Sequence, residues 1–159
     1  MDASSAGRIR VGVADMAVTA DGRPIVTSGL GSCVAIAVHD GSGVAGLLHA
    51  MLPEAPPDVD QPPKYVDSGV DALLSELRSL GADPDGYTAK VAGGASMLDL
   101  GNGSPVGDKN VAAAKSVLSE VGMTVAAAET GGEAGRSVTL DSRTGALTIK
   151  RVDSEETTI

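Results

Sequence analysis

The chain has 159 residues, 42% of them hydrophobic and 1% aromatic, with a formal net charge of -9. That is one ordinary domain with length for a real core, and it is not a disordered composition. The absence of a basic stripe argues against nucleic-acid binding, and a single cysteine excludes an internal disulfide framework. With two Tyr and no Phe or Trp, the core has to be built from Val, Leu, Ile, Ala and Met, with Gly allowing close backbone approach. An acidic surface with few large apolar groups fits a protein kept soluble in concentrated salt. The first ten residues, MDASSAGRIR, lack the apolar core of a signal peptide, and no apolar run reaches the length of a membrane span. The expected location is the cytoplasm.

In chain order, residues 8–18 alternate at Ile9, Val11 and Val13 and predict one strand. DGRP at 21–24 is a turn, and PIVTS a short strand running into GLGS. Residues 33–39 and 44–52 are two strands around the turn DGSG, a hairpin signal. The stretch 53–64 carries five of the eight prolines and is a loop. Residues 65–81 predict a helix with Val66, Val70, Leu73, Leu74, Leu77 and Leu80 on one face and Gly81 as its cap. A strand over 87–98 enters a Gly-rich turn, and a second helix covers 110–122 with Val111, Leu118 and Val121 inward. A strand over 123–129 and a hairpin around SRTG follow, and the acidic tail 153–159 is expected to fray. No repeat or domain boundary is visible, so residues 1–159 read as one domain with its ordered core over about 9–152. Adjacent hairpins with only two helices predict an α+β fold, a layered mixed β-sheet sandwich with the helices packed on it.

The chemistry-bearing residues cluster early. Cys33 opens an apolar strand, and His49, one of two histidines, closes the next. Two hairpin registers are open. A Gly41-Ser42 loop sets Cys33 opposite Ala50 and turns His49 to the other side. An Asp40-Gly41-Ser42 loop sets Cys33 directly opposite His49. A catalytic pair requires the second: a thiolate is a strong nucleophile, and a neighbouring imidazole takes its proton. Backbone N–H groups at Ser32 and Cys33, beside the glycines of GLGS, are candidates for an oxyanion hole. The Thr27 hydroxyl is a candidate to orient the imidazole. The alternative is that Cys33 is a small core residue. His39 shares the strand face of Cys33 and competes as its partner, although its place beside the turn favours solvation. AGGAS at 92–96 lacks the Lys-Ser/Thr of a phosphate loop and reads as a tight turn. The Gly-rich stretches 100–110 and 130–137 shape a surface or merely connect elements. With no second cysteine and no clustered histidines, a zinc site is not expected, and no metal or organic cofactor is invoked.

Taken together, IVTSGLGSCVAIAVHD, VAGLLHAMLP, PPKYVDSGVDALLSEL, KVAGGASML, VGDKNV and ETGGEAGRSV resemble the CheD family of chemoreceptor glutamine deamidases, in the family's order and over nearly the whole chain. The resemblance implies a papain-like thiol arrangement on a sandwich also seen in certain deamidating toxins. Cys33 matches its nucleophile, His49 its general base and Thr27 its hydroxyl third member. It implies a substrate, selected glutamines in the cytoplasmic helices of chemoreceptors, converted to glutamate through a Cys thioester. It also implies a partner, the CheC-type response-regulator phosphatase. One departure is Ser28, which stands where an apolar residue is expected and whose hydroxyl competes with Thr27 for His49. Two other functions stay open: a binding module that regulates a CheC-type phosphatase, and a thiol hydrolase cleaving receptor methyl esters.

Overall fold

The computed structural model describes residues 7–96, 105–152 and 154–159. Its strands are β1 (Ile9–Val11), β2 (Asp15–Thr19), β3 (Ile25–Leu30), β4 (Val34–His39), β5 (Ala45–Ala50), β6 (Thr88–Gly93), β7 (Thr124–Thr130), β8 (Arg136–Leu140), β9 (Leu147–Arg151) and β10 (Glu156–Thr158). Its α-helices are α1 (Val66–Ser79) and α2 (Val106–Glu120). One five-stranded sheet runs β1-β3-β8-β9-β10 and the other β2-β5-β4-β6-β7. Pairings are antiparallel except β1 with β3 and β6 with β7. The expected α+β sandwich with two helices is the observed architecture, in three layers: sheet, sheet, helices.

Strand alternation sorts the core into two compartments. Val34, Ile36, Val38, Leu48 and Ala50 face the helix layer with Val66, Val70, Leu73 and Leu77. Ala35, Ala37, Ala45 and Leu47 face the other sheet with Ile25, Leu30, Val138, Leu140 and Ile149. With no Phe or Trp, density comes from close approach. A Cβ on Gly69 of α1 would meet Leu48 at 2.9 Å, and one on Gly46 of β5 would meet Leu73 and Val18 at 2.8 Å. Glycine there lets α1 sit on β5 at near-backbone distance.

Several expectations change. The strand expected over 8–18 is two strands in different sheets, broken where Ala14 takes a left-handed φ of 61°. Three residues of turn, Gly12 to Ala14, carry the chain from one sheet to the other, and the apolar alternation runs across the break. Val13 is 53% exposed as a result. Helix α2 begins at Val106, four residues before the expected start, with Pro105 as its N-cap residue. Its buried stripe is Gly107, Asn110, Ala114 and Leu118, while Val121 at the C-cap is exposed. Leu80 of the first helical pattern is likewise exposed, past the end of α1. The tail does not fray. Residues Glu156–Thr158 add an antiparallel strand to β9, and Ile159 exchanges backbone bonds of 2.9 and 3.0 Å with Leu147. Lys90 Nζ donates to the Ile159 carbonyl at 2.9 Å, and the Ile159 side chain packs on the inter-sheet core. β-Branched threonines on the added strand and an apolar end residue outweigh the acidic composition. The end of the strand expected over 87–98 and residues 100–104 of the expected 100–110 loop lie outside the described residues, and the rest of that stretch is the N-cap and start of α2.

Candidate active site

The site forms where the chain crosses from β3 of one sheet to β4 of the other. Gly29, at φ 75°, opens the crossing, and the β3–β8 register shifts between Thr27 and Leu30. Three consecutive carbonyls of the crossing are held. Gly31 O accepts from Ala95 N at 2.9 Å, and Cys33 O from Gly94 N at 2.8 Å. Ser32 O accepts from Asn110 Nδ2 at 2.9 Å. AGGAS is therefore the tight turn expected of it. Gly93 and Gly94 have φ of 103° and 68°, and the turn packs on the start of α2, where a Cβ on Gly107 would run into the carbonyls of Gly94 and Ala95. The 130–137 stretch braces this turn from behind. Gly131 N donates to Gly93 O, and buried Arg136 ties Gly131 O and Ala134 O to the Glu129 carboxylate.

The hairpin register differs from both alternatives. Ala35, not Cys33, lies opposite His49. The loop is Gly41-Ser42-Gly43, closed by Asp40 N to Val44 O at 3.0 Å. Asp40 makes this loop: its carboxylate accepts from Ser42 N at 2.8 Å, Ser42 Oγ at 2.7 Å and Val44 N at 3.1 Å, with Asp83 N at 3.1 Å from outside. Gly41 and Gly43 supply the positive φ values the loop needs. Parity is preserved, so Cys33 and His49 share a face and are diagonal rather than direct neighbours, a spacing of roughly 7–8 Å between backbones that side chains can close.

His49 is fully buried, yet half bonded. Its Nδ1 lies 2.7 Å from Thr27 Oγ1, and Thr27 Oγ1 donates to Val11 O at 2.7 Å. A hydroxyl has one proton, and a carbonyl can only accept. The Thr27 proton therefore goes to Val11 O, and His49 Nδ1–H donates to Thr27. That assignment fixes the tautomer and leaves the lone pair on Nε2, which has no hydrogen-bond partner. Ser28 does not compete, because it points to solvent from the opposite face of β3.

Burial acts on both groups in the direction that favours the neutral form. It pushes the Cys33 thiol up, partly offset by a hydrogen bond from its own backbone N–H, and pulls His49 below the ordinary 6.5. Both shifts favour the uncharged pair, thiol and neutral imidazole. His39 lies at the other end of β4, its ring over Gly145, about 20 Å from Cys33 along the strand. It is not the partner of Cys33. Among the described residues, no group of three or more His, Cys, Asp or Glu could hold a metal ion. Asn110, which bonds to the carbonyls of Ser32 and Met51 on either side of the Cys33–His49 segment, is a residue the sequence reading did not single out. The helix was expected to begin at this residue, four positions late, so its place on the buried stripe was hidden, and its one signal was its place in the VGDKNV stretch.

Residues 51–151 match the family described as CheD chemotactic sensory transduction. The chain is 41% identical over 162 residues to a protein of Natronomonas pharaonis named probable chemoreceptor glutamine deamidase CheD, covering 99% of this chain and 96% of that one. It is 40% identical to a protein of the same name from Haloarcula marismortui, covering 98% and 92%. It is also 40% identical to the chemoreceptor glutamine deamidase CheD of Thermotoga maritima, covering 92% and 93%. The chain belongs to the CheD family. The family match opens at Met51, just past His49, while the alignment with the Natronomonas relative spans the segment from Thr27 to His49 as well.

Proposed function

We propose that this CheD-family chain is a chemoreceptor glutamine deamidase, with Cys33 as nucleophile, His49 as general base and Thr27 as the residue that orients the imidazole. The observation that carries this reading is the Val11–Thr27–His49 relay, which leaves a buried, unpartnered Nε2 lone pair on the face shared with Cys33. As the sulfur attacks the glutamine side-chain carbonyl, Nε2 takes the thiol proton. The N–H groups of Ser32 and Cys33 steady the oxyanion. The imidazolium then gives its proton to the departing nitrogen, ammonia leaves, and a thioester remains. Water, losing a proton to His49, hydrolyses the thioester to glutamate and restores the thiol. Thr27 holds imidazole through a neutral hydroxyl, so it adds orientation and little basicity.

The proposed substrate is the cytoplasmic helices of chemoreceptors, and the proposed location is the cytoplasm. No helix of the described residues is long and apolar enough to cross a membrane. A CheC-type phosphatase is proposed as partner. The acidic, aromatic-poor chain is proposed to work in high salt. The decisive experiment is mass spectrometry of a receptor cytoplasmic fragment incubated in high salt with wild type and with Cys33→Ala. Glutamine-to-glutamate conversion by wild type alone is expected. Conversion of methyl esters but not amides would assign the same thiol to ester cleavage. Conversion by neither folded protein would move the function to phosphatase regulation.

A further inference from the structure

We propose that Asn110 is a positioning residue for the Cys33–His49 pair, acting through the backbone on both sides of the site; this rests on the deamidase reading above. Asn110 stands on the buried stripe of α2 between Gly107 and Ala114, the one polar side chain on that stripe. Its Nδ2 donates to Ser32 O and to Met51 O, both at 2.9 Å. Ser32 immediately precedes Cys33, and Met51 lies two residues after His49. One carboxamide therefore clamps the strand that carries the nucleophile to the strand that carries the base.

The chemistry of the clamp is specific. Two carbonyls facing one nitrogen need a donor with two N–H groups in a fork, and the neutral carboxamide supplies it. Both protons point at carbonyls, so the amide's orientation is fixed, and Oδ1 is left buried without a partner. A group kept for packing alone would not retain that unpaired oxygen. The Ser32 carbonyl belongs to the same peptide unit as the Cys33 N–H. With no cis peptide bonds in the described chain, that N–H points away from Asn110. Holding the carbonyl thus aims the N–H proposed to receive the oxyanion. The neighbouring carbonyls of Gly31 and Cys33 are held by backbone donors and stay held without Asn110. Loss of Asn110 should therefore loosen one peptide plane and leave the crossing in place.

The test reads Cys33 directly, as the rate of alkylation by iodoacetamide against pH, alongside kcat and KM on a receptor fragment. Asn110→Asp keeps the shape and loses the two-donor fork, Asn110→Ala removes the group, and Leu118→Ala is a destabilising control on the same stripe. Both Asn110 variants are expected to lower kcat by about tenfold or more with KM little changed, and to move the alkylation profile toward that of His49→Ala. Leu118→Ala, matched for loss of melting temperature, is expected to keep the wild-type profile. Folded Asn110 variants with wild-type profile and kcat would overturn the proposal. So would unfolding of both under conditions where Leu118→Ala stays folded, because Asn110 would then serve the fold. If wild type and His49→Ala alkylate alike, the pair itself fails and the clamp with it. If the profiles separate as expected but no receptor glutamine is converted, the clamp stands and the substrate reading fails.

Discussion

The two ends of the β4–β5 hairpin each carry a histidine, and they differ in how the two ring nitrogens are partnered. At the turn end, His39 is half buried, with its ring over Gly145 and Lys90 and Asp40 as its charged neighbours. At the open end, His49 is fully buried, one ring nitrogen is bonded to Thr27, and the other is unpartnered. Burial alone does not make a base, since it pulls both imidazoles in the same direction. What separates them is a neighbour that consumes one nitrogen and thereby commits the lone pair of the other.

The largest break in that comparison comes from deletion of the reacting groups. Cys33→Ala and His49→Ala are each expected to lower deamidation by about 10⁴-fold or more, while His39→Ala stays within about twofold of wild type in the same assay. Equal losses at both histidines would sink the distinction. Thr27→Val tests the relay itself. It keeps the shape, removes the acceptor for Nδ1–H and frees the tautomer. A drop in kcat of about 10- to 100-fold is expected, with a stability loss of about 1–3 kcal/mol from the unpaired buried N–H, read by denaturant titration. A Thr27→Val enzyme with full kcat would show that the tautomer needs no help.

The same hairpin shows how far the sequence could be read. Alternation put Cys33 and His49 on candidate strands, and the apolar stripe of α1 was legible because Val66, Val70, Leu73 and Leu77 recur at helical spacing. The register was not legible, because it depends on which turn residues close the loop and on the flanking strands β2 and β6. Asp40, Gly41, Ser42 and Gly43 are turn residues in every register, and only geometry shows Asp40 taking the Val44 N–H. The β1–β2 break escaped for a related reason: Ala14 adopts a positive φ that its residue type does not advertise. Asn110 escaped because its two acceptors, Ser32 and Met51, come from segments 78 and 59 residues away. The order of motifs carried the identity of Cys33, His49 and Thr27 as a candidate set, and the tautomer emerged only from the Val11 carbonyl.

A third prediction sharpens the contrast from the turn end. Asp40→Ala removes four accepted bonds, and a stability loss of about 2–3 kcal/mol is expected. Activity should fall less than about tenfold, because β4 is also paired with β6, and β5 with β2, which hold the register from both sides. Burial works to raise the Asp40 pKa, but the bonds from Ser42, Asp83 and Val44 outweigh it and bring the carboxyl to about 2. Its contribution is therefore present above the ordinary 3.8 and is lost only as pH falls toward 2.

The smallest effect is the most discriminating, because pH acts on both histidines at once. Each is lowered from the ordinary 6.5, His49 by burial and His39 by burial and Lys90 with Asp40 opposing. As pH falls below 6.5 the unfolded chain takes up protons before the folded one does, so stability is full above that value and declines as pH drops through the folded pKa values. Chemical denaturation between pH 7 and 5 should show this decline in wild type and a shallower one in both His39→Ala and His49→Gln. Activity should part the two. The acid limb of kcat/KM should lie below 6.5, where Nε2 becomes protonated and can no longer accept from Cys33, and His39→Ala should leave that limb where it is. An acid limb that moves with His39 would mean that the turn end titrates the chemistry, and would erase the difference between the two ends of the hairpin.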